Sequence, residues 1–238
     1  MFYQIPGVRL LQTKLNQLSS YIPPPPREAS EEPLRILLVH AHPNTQDSFS
    51  VAIANRVEDT AKAAGHQVQR ISLYDQNYQP KLTRLEQREN HARGQDLDKR
   101  PLAKEVKAHL RQLQWCNTLI FVYPTWWMNT PAVLKGWFDR SLVHDIAWAL
   151  PPPDSSSRAL LPKLTHITQI VGISTYGAPN HIVTLAGDNG RRMIANAVRP
   201  IMSPQATLQW LGLYSMDTTT TDERANFLNE VEALVKRL

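Results

Sequence analysis

From Leu34 to the last residue, short aliphatic or aromatic runs alternate with segments whose apolar residues recur every three or four positions. No other feature restricts the fold as much, because these two patterns belong to buried strands and to helices with one buried face. Leu34 to His40, Gln67 to Leu73, Thr118 to Tyr123, Ile167 to Ser174 and Thr207 to Leu213 read as strands. Ser48 caps a helix carrying Phe49, Ile53, Val57, Ala61 and Ala64, and Gly65 supplies its left-handed stop. Pro101 opens a helix with Leu102, Val106, Leu110 and Leu113, and Val133 to Leu142 and Arg191 to Val198 read as two more. Thr220 and Glu223 have capping-box spacing ahead of Phe227, Leu228, Val231, Leu234, Val235 and Leu238. Strands joined through helices of this length run parallel, so the expected fold is α/β, a doubly wound five-stranded parallel sheet with helices on both faces. Such sheets bind ligands at their carboxyl edge, which places the chemistry in the loops leaving the strands.

The alternation does not begin at residue 1. Tyr21 to Pro33 reads Y-I-P-P-P-P-R-E-A-S-E-E-P, and four consecutive prolines favour an extended linker. It divides residues 1–33, where Val8, Leu11, Leu15 and Leu18 stand near helical spacing, from one domain over residues 34–238. Lys81 to Arg100 and Ala149 to Pro162 read as surface excursions. The 238 residues hold one cysteine, Cys116, which cannot form an internal disulfide and suits a reducing compartment, so a cytoplasmic location is expected. No apolar run approaches the ~20 residues of a membrane helix, and Pro6, Arg9 and Lys14 interrupt the stretch a secretory leader would need. The net charge is +5, but the basic residues are scattered rather than banded with aromatics, so nucleic acid is not an expected partner.

Three loops stand at the strand ends. The first, H-A-H-P-N-T-Q-D-S-F-S at 40–50, places His42 beside Ser48, Phe49 and Ser50 at a helix start. Free N–H groups and the positive helix end there suit a phosphate, although a capping Ser48 and a loop histidine explain the same residues. The second, F-V-Y-P-T-W-W-M-N-T-P-A-V-L-K-G-W-F-D-R at 121–140, sets Trp126, Trp127 and Met128 directly after Pro124 and Thr125. A helix core spaces its aromatics at three or four, so adjacent indoles at a proline-bounded strand end point to a flat ring ligand such as an isoalloxazine. The third, I-S-T-Y-G-A-P-N-H at 173–181, offers Thr175, Tyr176 and Gly177, where glycine permits close backbone approach to a ligand; an ordinary turn looks similar. Neither the G-x-G-x-x-G nor the P-loop pattern is present.

Together these segments resemble the flavodoxin-like NAD(P)H:quinone oxidoreductase family, which also contains ancillary subunits of bacterial potassium efflux systems. The resemblance runs over about residues 35–215 and rests on P-T-W-W-M-N-T-P-A-V-L-K-G-W-F-D-R at 124–140, H-P-N-T-Q-D-S-F-S at 42–50 and L-Y-D-Q-N-Y-Q-P at 73–80. It implies a flavodoxin-like strand order of 2-1-3-4-5 and a flavin, FAD with FMN as the alternative, with NAD(P)H as co-substrate. It sets His42, Ser48, Phe49 and Ser50 around the phosphate and ribityl chain, and Pro124, Thr125, Trp126, Trp127 and Met128 against the ring. Thr175, Tyr176 and Gly177 meet the pyrimidine edge, where the family's T-T-G-G stands here as S-T-Y-G. Tyr176 and His181 are the catalytic candidates. Trp148 falls where the family places an aromatic completing the substrate pocket of a homodimer.

The expected activity is reduction of quinone-like acceptors by hydride transfer through flavin N5. The rival is a regulatory subunit of a membrane transporter, docked through the basic surface and the tethered N-terminus. A flavodoxin-type electron carrier is disfavoured, because carriers tend to be acidic. Arg191 and Arg192 are candidates for a 2′-phosphate contact or for a solvated helix start.

Overall fold

Five extended segments pair side by side, the three central ones rich in β-branched and aliphatic residues and buried on both faces, the two edge strands only partly buried. In this computed structural model, which describes residues 32–89, 94, 96–157 and 159–238, they are β1 (Arg35–His40), β2 (Gln67–Ser72), β3 (Thr118–Thr125), β4 (Gln169–Tyr176) and β5 (Thr207–Leu213). All pair in parallel, in the order β2-β1-β3-β4-β5, as the resemblance implied. The helices are α1 (Phe49–Ala63), α2 (Arg84–Glu89), α3 (Lys104–Trp115), α4 (Ala132–Ser141), α5 (Asn180–Ala186), α6 (Asn189–Met193) and α7 (Thr221–Val235). Residues 1–31, and with them the amphipathic segment and the four prolines, lie outside the described residues.

The pleat divides the core in two. Ile36, Leu38, Ile120, Val122, Val171 and Ile173 point to one face, where Ile53 and Val57 of α1 meet Phe227, Val231 and Leu234 of α7. Leu37, Val39, Leu119, Phe121 and Ile170 point to the other, packing on Val106, Leu110, Leu134, Trp137 and Phe138 of α3 and α4. Burying both faces of one sheet explains why β1 shows no polar alternation.

The helix signals hold where a cap confirms them. Ser48 accepts the Val51 N–H, Gly65 takes φ +84°, and Thr220 and Glu223 form the complete capping box of α7. Pro101 does not open α3, which begins at Lys104 after an Ala103 that offers no side-chain cap. The segment expected as one helix over 191–198 begins earlier as α6. It widens into a π turn over Ile194–Val198 and tightens over Arg199–Ile201 around Pro200, which has no N–H to donate. Two short helices fall in stretches where no helix was expected. One is α5; the other is α2, whose Thr83 and Glu86 exchange capping bonds at 3.0 and 3.2 Å, a T-x-x-E signature in the supposed surface excursion. Within Ala149–Pro162, a two-residue antiparallel ladder pairs Trp148–Ala149 with Leu161–Pro162.

Candidate functional site

Parallel strands in register bring their carboxyl ends to one edge, and the loops leaving β1, β3, β4 and β5 enclose a cavity of about 740 Å³ there. In the first loop Asn44 acts as scaffold. Its side chain accepts the N–H groups of Gln46 and Asp47 at 3.2 Å and binds Asp47, while its backbone holds Nδ1 of His42, 2.9 Å from its carbonyl and 3.1 Å from its N–H. Ser48 donates to the Asn44 carbonyl at 2.7 Å and caps α1 through Val51. The amides of Phe49 and Ser50 precede the first intrahelical bond, made by Ala52, and both residues line the cavity. The Ser50 hydroxyl is turned to His40 Nε2 at 3.2 Å, and Nδ1 of that ring lies 3.3 Å from Ser72 Oγ. His40 is fully buried; desolvation, reinforced by Arg70 and His42, draws its pKa down to about 4, so the ring is neutral at pH 7.

The second loop is strained. Trp126 and Asn129 exchange backbone hydrogen bonds of 3.1 and 3.0 Å, closing a two-residue turn with Trp127 at φ 49° and Met128 at φ 59°. Turns of this hand normally carry Asn-Gly, and each side chain in the left-handed region costs about 1–2 kcal/mol. In such a turn the central N–H groups point outward, and those of Trp127 and Met128 meet no acceptor among the described residues. Trp127 is 99% and Trp126 41% exposed, so the paired indoles are not core filler. The ring centroid of Trp126 lies 6.3 Å from that of His42, joining the first two loops.

The third loop is fixed from beneath. Ser174 Oγ donates to the Tyr123 carbonyl at 2.9 Å and lies 2.8 Å from Thr125 Oγ1. The Tyr176 hydroxyl receives the Trp210 indole N–H at 3.0 Å and donates to Asp188 at 3.2 Å, while its ring stacks on Tyr214 at 4.5 Å. Burial, then the neighbouring Asp188, raises the phenol pKa far above its usual value. Burial likewise raises the Asp188 carboxyl, against the pull of Arg191. Glycine makes this aromatic cluster possible: a Cβ at Gly172 would stand 2.1 Å from the Trp210 ring.

The structure therefore brings together on one cavity wall His42, Phe49, Ser50, the run from Pro124 to Met128, and Thr175, Tyr176 and Gly177. Ser48 stands behind the wall as the cap. His181 is half-buried on α5 and does not line the cavity. Trp148 lies apart on the short ladder, its indole donating to the Leu142 carbonyl at 2.8 Å and its ring edge-on to His144. Arg191 lies over the Trp210 ring at 5.8 Å, and neither it nor Arg192 lines the cavity. Sequence reasoning missed Ala178, Val183, Met216 and Asp217, all lining. The last two follow β5, and applying the carboxyl-edge rule to that strand as well would have found them.

The arrangement is a binding site rather than a nucleophile's. Cys116 is buried in the core with its pKa pushed up to about 12, and no metal-ligating cluster occurs among the described residues. Among these residues, too, no helix is long and apolar enough to cross a membrane.

Comparison with known proteins follows the same lines. A protein described as an uncharacterized NAD(P)H oxidoreductase from Haemophilus influenzae is 34% identical over 112 residues, 47% of this chain and 52% of that one. Rat ribosyldihydronicotinamide dehydrogenase (quinone) is 29% identical over 166 residues, 66% of this chain and 69% of that one. The crystal structure of Smu.1420 from Streptococcus mutans superimposes with a TM-score of 0.72 at 26% identity, covering 85% of this chain and 99% of that one. The chain spans about half the length of most of the curated relatives it matches. The model of the family described as having a flavodoxin-like fold matches residues 34–202, well over half of the chain and all of the strands but β5, and the chain belongs to that family.

Proposed function

We propose that this chain is an NAD(P)H-dependent flavoprotein oxidoreductase that reduces quinone-like acceptors. The observation that carries the proposal is the left-handed Trp127-Met128 turn, which accepts backbone strain to hold two free N–H groups and an exposed indole over the cavity. Strain of this kind collects at ligand clamps. The oxidoreductase and quinone dehydrogenase names carried by the H. influenzae and rat relatives support the same reading.

The residues present fit a flavin. The free amides of Phe49 and Ser50, at the positive end of a 15-residue helix, would hold a phosphate, with Ser48 fixing that helix start and His42 beside it. Pro124, Thr125, Trp126, Trp127 and Met128 would lie against the ring, the amides of the last two at its polar edge. Thr175, Tyr176 and Gly177 would meet the pyrimidine end, where Gly177 leaves the backbone bare. When bound, the flavin supplies hydride acceptance from NAD(P)H and hydride delivery to the acceptor. The chain's own work is then to hold the ring, exclude water with the indoles and keep one face open. Of the catalytic candidates, Tyr176 is a proton-bearing positioning group fixed by Trp210 and Asp188, and His181 is left to the acceptor side.

FAD is the proposed form, with FMN served by the same ring and phosphate contacts. The proposed assembly is a cytoplasmic homodimer in which Trp148 borders the acceptor pocket, with residues 1–33 as an extension outside the domain at 34–238. No observation among the described residues favours the transporter subunit. Mass spectrometry of the cofactor released on denaturation, with NADH and NADPH oxidation assayed against menadione and benzoquinone, tests the proposal. Protein that takes up neither flavin, or that binds one and oxidises neither nucleotide, overturns it.

A further inference from the structure

Among the residues that line the cavity, Asp217 is the one carboxylate, and no lysine or arginine joins it. It follows β5 in a tight turn over Met216–Thr218, entered through Ser215 at φ 55°. That turn is pinned from several sides. The Ser215 N–H donates to the Ala178 carbonyl at 3.2 Å, Thr219 donates its hydroxyl to the Met216 carbonyl at 2.8 Å, and Arg224 donates to that carbonyl at 3.4 Å and to Thr219 Oγ1 at 2.9 Å. Asp217 Oδ2 stands 3.2 Å from where a Cβ of Gly177 would be, against the backbone that forms the end of the cavity. The carboxylate is exposed and pairs with no cation among the described residues. Arg224, which packs on this turn, gives its guanidinium to Thr219, Met216 and the Phe49 ring.

An unneutralised charge held by its backbone at a ligand's edge acts on whatever charge develops there. We propose that Asp217 tunes the bound flavin, favouring its oxidised over its reduced form by placing a negative charge at the pyrimidine end. This rests on the flavin reading above, with Gly177 at that end. Two-electron reduction adds negative charge to the pyrimidine end, so a facing carboxylate weakens retention of the reduced cofactor more than of the oxidised one. The consequence is a lower potential and readier delivery of hydride to the acceptor.

The test is a dye-equilibrated potentiometric titration of the flavin-loaded protein and of its Asp217→Asn and Asp217→Glu variants, at low and high salt. Asp217→Asn is expected to raise the ratio of reduced to oxidised affinity about tenfold, which for a two-electron couple is ~30 mV upward. Asp217→Glu is expected to keep the wild-type value. Added salt should move the wild-type potential toward that of the Asn variant and leave the Asn variant in place, a dependence that a packing role would not give. Unchanged melting temperatures, expected for an exposed residue, would show that both variants are folded. If the wild type binds flavin and Asp217→Asn leaves the potential unchanged, the Asp217 assignment falls alone. If the wild type binds neither FAD nor FMN, the flavin reading falls first and this one with it.

Discussion

Trp210 donates its indole N–H to the Tyr176 hydroxyl at 3.0 Å, tying β5 to the carboxyl end of β4 where the cavity begins. Both side chains are buried, so Tyr176→Phe strands the indole N–H and removes the donor to Asp188. The expected cost is about 1–3 kcal/mol, read as a lower midpoint in urea with an unchanged slope. As a positioning group, the phenol should change kcat/KM by less than about tenfold, whereas loss of a general acid costs roughly a hundredfold or more. A hundredfold loss with an unchanged midpoint would make Tyr176 a catalytic residue after all.

The turn at Trp127 and Met128 should trade stability for binding. Trp127→Ala removes an indole that is almost fully exposed, so stability should stay within about 0.5 kcal/mol while flavin affinity falls roughly tenfold. Met128→Gly relieves a left-handed side chain at φ 59° and should stabilise the flavin-free protein by about 1 kcal/mol while also weakening flavin binding. Thermal unfolding and flavin titration of the two variants check this. A Met128→Gly protein less stable than wild type would mean that the turn is not strained.

Two histidines give the fold an acid limit. His40 and His109 are each lowered to about 4, chiefly by burial, from a usual value of 6.5. Below about pH 6.5 the unfolded chain binds protons at these positions that the folded chain does not, so unfolding gains on folding as pH falls. The stability they protect is fully present above pH 6.5 and is lost progressively as pH falls toward 4, by roughly 2–3 kcal/mol for each ring. Urea midpoints taken from pH 7.5 to 4 should show this slope, and His40→Asn should flatten it by about half. A variant with the wild-type slope would place His40 outside the effect.

Most of the sheet was legible because β1, β3 and β5 carry their signal locally, as apolar runs between caps and turns. What was lost depended on tertiary context. Arg191 to Val198 reads as one periodic helix, yet the chain turns helical at Asn180 and Asn189 because Pro179 and Asp188 set new starts. The indoles of Trp126 and Trp127 announced a ligand wall by their adjacency. Nothing local, however, told Tyr176 apart from an open-pocket phenol, since its partners Asp188 and Trp210 come from elements 12 and 34 residues away. Asp217 was within reach of the carboxyl-edge rule, since it follows β5, but its place beside Gly177 exists only after β5 docks on β4.

The segment after β2 was read as a surface excursion, and its Glu86 is among the most buried charges in the protein. Arg140 of α4 holds that carboxylate through Nη2 at 2.6 Å and Nε at 3.0 Å, donates to the Gln79 carbonyl at 2.5 Å, and lies over the Tyr78 ring at 4.9 Å. Burial alone would raise the Glu86 pKa, but the bonds from Arg140 and Thr83 outweigh it and hold the carboxyl below its usual range. Because α4 begins just after the strained turn, this pair fixes both α2 and the helix that supports the cavity wall. Glu86→Gln leaves the buried guanidinium with only the more exposed Glu105, 3.1 Å from Nη2, as counter-charge and should cost about 3 kcal/mol. The double variant Glu86→Leu with Arg140→Met removes both charges and should regain most of that loss. Hydrogen exchange over Arg84–Glu89 should quicken in Glu86→Gln well beyond the change at the strand amides. Equal quickening everywhere would show that the pair supports overall stability only and does not pin α2 in place.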